Sequence, residues 1–244
     1  MKKILNDFNR KGFVVLKNIF SKSEIKKFDD ETLRLENVLK AKYKPPYINL
    51  TKEGKLNTAH NLNKIFPKSS LMTISKNKKI NNIVKKILKD DLELRNIEIF
   101  AKPKISGMRA PFHQDNYFWC VKDSKAVNIW ISINKADKKN GGIIYLEGSH
   151  ELGILKHIRS KTKGTSLRIK DSIIKNLKFK RVTPILNPGD CIIHDCAVIH
   201  GSKKNLSNKS RKGIVISFKA KKSKYDNTRL NHYRKNLKKS LQNY

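Results

Sequence analysis

His113-Gln114-Asp115 sets an imidazole and a carboxylate two residues apart, and some 85 residues further on His200 offers a second imidazole. Two histidines and one carboxylate are the ligand set of the facial triad that holds non-haem Fe(II) and leaves coordination positions open. Arg211 follows His200 by eleven residues. A planar guanidinium grips a carboxylate through two parallel hydrogen bonds, which suits a dicarboxylate co-substrate. The chemistry to expect is that of an iron- and 2-oxoglutarate-dependent oxygenase. Histidines must be neutral to ligate, so metal binding should weaken as the pH falls below about 6.

Such a site needs strands. On a strand, residues i and i+2 share a face, so His113 and Asp115 can enter one interior together. If the strand continues, Tyr117 and Trp119 follow on that face and become candidate walls of a substrate pocket, or else core or rim aromatics. The hydrophobic pattern supplies the strands. Gly12 to Phe20 is rich in β-formers, Leu92 to Phe100 contains alternating apolar positions, and Val127 to Ile133 alternates throughout. Asn140-Gly141-Gly142 is a turn signal before Ile143 to Leu146, and Val182 to Leu186, Cys191 to His194 and Gly213 to Phe218 complete the series. Helices belong to the first third. Ser21-Lys22-Ser23-Glu24 has the spacing of a capping box ahead of an amphipathic run towards Val38, and Ile80, Ile83, Val84, Ile87 and Leu88 mark a second helix ending near Asp90. Residues 41–68, broken by Pro45, Pro46, Gly54 and Pro67, read as a loop-rich connection. The pattern is mainly β with flanking helices, an α+β chain built around a sandwich or barrel. With no boundary worth drawing, residues 1–244 read as a single domain whose basic tail, 219–244, is a surface helix or a partly disordered end.

At 244 residues the chain is long enough to bury a core and a cavity without staples. No apolar run approaches the roughly 18–20 residues needed to span a bilayer, and the N-terminus turns polar too early for a secretory signal. Cys120, Cys191 and Cys196 lack metal-type spacing, read as small apolar core residues, and fit a reducing, cytoplasmic setting. The net charge of +35 is compatible with an anionic small-molecule substrate. The lysines are dispersed over the whole chain, as compositional drift would leave them, so no specific nucleic-acid partner is expected. Nothing in the sequence specifies an oligomeric state. A jelly-roll metal-binding protein without turnover, and an oxygenase acting on nucleic acid through a basic surface, are the rival classes.

Phe100-Ala101-Lys102-Pro103 through Pro111-Phe112-His113-Gln114-Asp115 resembles the phytanoyl-CoA dioxygenase family. The resemblance continues through Trp130, Asn140-Gly141-Gly142 and Leu146-Glu147-Gly148-Ser149-His150, then Pro188-Gly189-Asp190, His200-Gly201-Ser202 and Arg211, spanning about residues 10–218. It implies a double-stranded β-helix (a cupin-like jelly roll), Fe(II) held by His113, Asp115 and His200, and Arg211 on the distal carboxylate of 2-oxoglutarate. Ser202 and Trp130 match positions that help frame this co-substrate. In ectoine-hydroxylating relatives an aromatic at the Trp119 position contacts substrate. The implied reaction consumes O2 and 2-oxoglutarate, releases succinate and CO2, and hydroxylates a C–H bond. Related halogenases replace the acidic ligand with a small residue, so the intact Asp115 favours hydroxylation. His194, six residues before His200, competes for the second imidazole, but Gly201-Ser202 and the distance to Arg211 favour His200. His150 reads as a loop-ordering residue, and His60, His157 and His232 carry no partner pattern. The lysine that contacts 2-oxoglutarate in some relatives has no counterpart near Asn57 to Leu62.

Overall fold

The computed structural model describes residues 1–160, 162 and 167–241, with side chains described up to residue 235. Its frame is a seven-stranded antiparallel sheet with β1 (Phe13–Leu16), β2 (Ile48–Leu50), β3 (Leu56–Ala59), β4 (Leu92–Lys102), β6 (Ala126–Ser132), β11 (Cys191–Asp195) and β13 (Arg211–Ala220) in the order β1-β11-β6-β13-β4-β3-β2. A four-stranded antiparallel sheet, ordered β10-β7-β12-β5, faces it, built from β5 (Ala110–His113), β7 (Ile143–Leu146), β10 (Arg181–Val182) and β12 (His200–Ser202). Together the sheets form a jelly roll. β8 (His157–Arg159) and β9 (Leu167–Ile169) pair separately.

Period-2 alternation divides the large sheet into two faces. In β6, Val127, Ile129 and Ile131 join the outer core, whereas Asn128 and Trp130 face inward. β13 repeats the rule, with Ile214 and Ile216 outward and Arg211 and Val215 lining the interior. The outer face is covered by α2 (Lys22–Lys42) and α4 (Lys78–Leu88), whose Leu35, Leu39, Ile80, Ile83 and Val84 are almost fully buried against it. The Ser21 hydroxyl accepts from Glu24 N–H and the Glu24 carboxylate from Ser21 N–H, so the capping box forms as the spacing suggests. Inside, Phe13 and Tyr145 stack across the two sheets with ring centroids 4.5 Å apart.

The remaining helices are short connections and ends: α1 (Lys2–Lys11), α3 (Leu62–Ile65), α5 (Asp115–Trp119), α6 (Asp171–Asn176) and α7 (Asn227–Leu241). Two expectations need correction. Residues 41–68 are not merely a loop, because β2 and β3 extend the large sheet there, paired with each other and, through Thr58 and Ala59, with β4. The strand expected over 182–186 shrinks to Arg181–Val182, with an isolated bridge from Leu186 to Ala136. The basic tail, for which a surface helix is one of the two expectations, starts in the last residues of β13 and carries the helix α7. Its Tyr233 lines the inner cavity and meets Phe118 edge-on at 5.7 Å.

Candidate active site

β12 pairs with β5 so that His200 lies directly opposite His113, with ring centroids 4.4 Å apart. Asp115 opens α5 immediately after β5, and its Oδ1 lies 3.6 Å from His113 Nε2 and 3.8 Å from His200 Nε2. These separations are too long for hydrogen bonds. They suit three donor atoms around a common ion, and all three lie within 4.8 Å of one another. The supporting bonds orient each donor. His113 Nδ1–H donates to the Pro111 carbonyl (2.8 Å) and His200 Nδ1–H to that of Val198 (3.1 Å), which leaves both Nε2 lone pairs for the carboxylate side. Burial would raise the Asp115 carboxyl, but the adjacent His200 and His113 rings and the hydrogen bond from His194 hold it well below the ordinary carboxylate range. Burial pushes His200 down to about 3, so it stays neutral and able to ligate.

His194 is excluded from the donor set by its own bonds. Tyr145 O–H donates to its Nδ1 (2.9 Å), and its Nε2–H donates to Asp115 Oδ2 (3.1 Å). With Asn128 Nδ2 donating to the same oxygen (2.7 Å), Oδ2 is anchored while Oδ1 is left facing the imidazoles. The residue that competes for the ligand role thus orients the carboxylate.

A cavity of about 520 Å³ opens above these groups and runs along the inner face of β4 and β13. Arg211, the first residue of β13, is 3% exposed and 4.8 Å above the Trp130 ring, with its Nη2 donating to the Gly141 carbonyl (3.1 Å). Burial lowers its guanidinium to about 10, still charged at neutral pH. Opposite it in the strand register is Lys102, also buried, whose Nζ donates to the Met108 carbonyl. Gly141 is needed in this corner because a Cβ there would come within 2.7 Å of Lys102 Cδ, and its φ of +80° suits glycine. Burial and the neighbouring Arg211 hold the Lys102 ammonium well below its usual range. Arg211 Nε and Trp130 Nε1 are buried donors without partners. Buried donors are rarely left unpaired, and two on one cavity wall fit an acceptor-rich anion. Ser202 lines the same wall.

Tyr117 is a correction. The chain does not continue as a strand past His113 but turns into α5 at Asp115, where successive side chains are about 100° apart. Tyr117 swings away to stack on His157 at 4.1 Å, and Phe118 takes its place, lining the cavity edge-on to His113 at 5.8 Å. Trp119 does reach the cavity.

Gln114 and His157 do work that the sequence did not reveal. Fully buried Gln114 donates to the carbonyls of Gly153 and Ala197 (both 2.7 Å) and accepts from Leu155 N–H (2.8 Å), tying three segments beneath the two flanking residues. Gln114→Leu keeps the volume and strands these groups. We expect a loss of about 3 kcal/mol and a fall in Tm of roughly 6–12 °C by calorimetry; an unchanged Tm would remove the stapling role. His157 Nε2 accepts from Gln114 N–H (3.0 Å), and burial pushes its imidazole down to about 4. Between about 6.5 and 4 the unfolded chain therefore binds a proton that the folded chain refuses. Stability is fully present above about 6.5 and is lost as the pH falls. Metal-free protein should show Tm dropping across this window, with a shallower drop in His157→Gln; identical slopes would reassign the acid sensitivity. His150, as expected, ties a loop, its Nε2–H donating to the Asn9 carbonyl (3.0 Å).

A jelly roll whose inner cavity joins two imidazoles, a carboxylate and a buried arginine has the architecture of the non-haem Fe(II)- and 2-oxoglutarate-dependent dioxygenases. EctD from S. alaskensis, solved with 2-oxoglutarate and 5-hydroxyectoine, shares the fold with a TM-score of 0.75 and 20% identity, covering 93% of this chain and 78% of that one. SnoK, a non-haem α-ketoglutarate-dependent carbocyclase from nogalamycin biosynthesis, follows at 0.74 and 18%, covering 92% and 86%. In sequence, the peroxisomal phytanoyl-CoA dioxygenase of Rattus norvegicus is 25% identical over 89% of this chain and 68% of that protein. The mouse enzyme matches over 66% of its own length, so this chain spans about two thirds of these relatives. Residues 8–213 match the phytanoyl-CoA dioxygenase (PhyH) family. The chain belongs to that family of Fe(II)- and 2-oxoglutarate-dependent dioxygenases.

Among the described residues no helix is long and apolar enough to cross a membrane.

Proposed function

We propose that this protein hydroxylates a small molecule, with Fe(II) held by His113, Asp115 and His200 and 2-oxoglutarate held by Arg211 with Ser202 and Trp130. The observation that carries the reading is one cavity with two kinds of unmet demand. Two imidazole lone pairs and a carboxylate oxygen converge without a hydrogen between them, and the buried donors of Arg211 and Trp130 lack an acceptor. When bound, Fe(II) activates O2 so that 2-oxoglutarate goes to succinate and CO2 while a substrate C–H becomes C–OH. The chain's own groups do the positioning. The Pro111 and Val198 carbonyls fix the imidazole tautomers, Asn128 and His194 fix the carboxylate, and the Arg211 fork fixes the distal end of the dicarboxylate. Phe118 and Trp119 line the cavity beside the triad as its aromatic wall.

The cavity is open beside the triad, which favours turnover over a binding role with a blocked pocket. Three unpaired, buried cysteines support a reducing, cytoplasmic setting. We take residues 1–244 as one catalytic domain. The test is anaerobic addition of Fe(II) and then 2-oxoglutarate to the purified protein. A visible charge-transfer band that His113→Ala abolishes is the expected result. Folded protein that binds neither would overturn the proposal.

A further inference from the structure

The apolar positions of β4 change parity midway. Leu92 and Leu94 pack on the outer core, and so do Ile97 and Ile99. The register explains the slip: Phe218 of β13 pairs with Leu94 and Ser217 with Asn96, so Arg95 is an extra residue with no partner across the ladder. Such bulges re-aim side chains and gather near active sites. Here Arg95 and Asn96, adjacent in sequence, both line the cavity instead of pointing to opposite faces. The Arg95 guanidinium lies 4.2 Å over the Trp119 ring, and its Nε is buried with no partner. The aromatic wall at Trp119 is thereby covered by a cation.

The charges of the cavity show what that cation lacks. Its two lining carboxylates are engaged, Asp115 by the triad and its anchors, and Glu98 by His60 Nδ1 at 2.5 Å. Among the described residues no carboxylate lies within ion-pairing distance of Arg95, nor of Arg109 or Arg159 in the same lining. Arg211 is accounted for by the proposed co-substrate, and Lys102 Nζ by the Met108 carbonyl. Stacking on Trp119 is worth ~0.5–2 kcal/mol. It satisfies the face of the guanidinium but none of its N–H donors.

We infer that Arg95, turned inward by the bulge and braced on Trp119, anchors an anionic group of the substrate, a carboxylate or a phosphate ester. This rests on the oxygenase reading, since it makes the open part of the cavity the substrate's. The site then holds two anions by two arginines, Arg211 for the co-substrate and Arg95 for the substrate. Arg109 and Arg159, exposed at the cavity wall, add attraction for the incoming anion without being buried in contact with it.

The chain has two tryptophans, one beside each arginine. Their indole N–H signals, assigned with Trp119→Phe, can be followed by NMR in the full-length Zn(II)-substituted protein. Butyl phosphate and butyrate are titrated against butanol at constant ionic strength, and 2-oxoglutarate is titrated separately. The expected result is a saturable shift of the Trp119 signal by at least one anion and not by butanol. The tighter anion identifies the headgroup. Arg95→Gln should weaken that binding roughly 10–100-fold, with Arg95→Lys in between. The inference is overturned if neither anion moves the Trp119 signal, if butanol moves it equally, or if Arg95→Gln binds as the wild type does. Should Arg95→Gln not fold, the contrast between the anions and butanol decides alone. The 2-oxoglutarate titration reports separately. A co-substrate that moves neither indole signal counts against the oxygenase reading, whatever the alkyl anions do.

Discussion

Asp115→Ala should abolish Fe(II) retention and, with it, every trace of 2-oxoglutarate turnover. The carboxylate is the one anion among three close imidazoles: His113 and His200 face its Oδ1, and His194 donates to its Oδ2. Its removal deletes a ligand and the negative charge that this donor set offers a divalent cation. It also leaves the buried His194 and Asn128 donors without their acceptor. Asn128→Ala is the graded comparison, because it keeps Oδ1 and loosens only the Oδ2 anchor. Loss of a supporting residue of that kind costs about 10–100-fold in metal affinity, and Asp115→Ala should exceed this. Asp115→Asn separates shape from charge by keeping the side-chain outline and discarding the anion. Chelator competition under anaerobic conditions measures all three. Wild-type affinity in Asp115→Ala would refute the metal assignment outright.

What the sequence revealed and what it hid divide along a physical line. His113, Asp115, His200 and Arg211 are legible because their chemistry depends on residue type, and their order along the strands survives folding. Trp130 enters through the family resemblance, and the uninterrupted alternation of β6 agrees with its inward face. Tyr117 misleads because extending the strand assumes a backbone geometry that α5 breaks at Asp115. β2 and β3 are hidden because strands of three and four residues among prolines and glycine carry too little pattern to outvote the breakers. Gln114 conceals a structural role inside a chemical motif, as its three partners lie 39 to 83 residues away. Arg95 lies between these cases. The parity change from Leu94 to Ile97 is visible in the sequence, but only pairing with β13 shows that the extra residue turns inward.

Arg211→Ala carries the second large effect, and it should fall on the co-substrate while sparing the metal. The guanidinium touches none of the three ligand atoms, so Fe(II) retention should stay at the wild-type level. Truncating one partner of a buried, hydrogen-bonded charge pair costs about 2–5 kcal/mol, roughly 30-fold or more in apparent 2-oxoglutarate affinity. Lys102 cannot take over. Its Nζ is committed to the Met108 carbonyl and its stem lies close against Gly141, so the second cation of this corner is held back from the vacated space. Arg211→Lys should fail for a related reason. A single ammonium supplies no two-pronged fork, and it gives up the bond to Gly141 O and the planar stacking on Trp130. Gly213→Ala tests the platform without touching the charge. A Cβ at position 213 would overlap the six-membered ring of Trp130, and displacing that ring removes the surface on which the guanidinium lies. If the platform matters, Gly213→Ala raises the 2-oxoglutarate requirement in the same direction as Arg211→Ala and by less. If titration of both variants returns the wild-type requirement, the distal carboxylate is held elsewhere and this corner of the cavity belongs to the substrate.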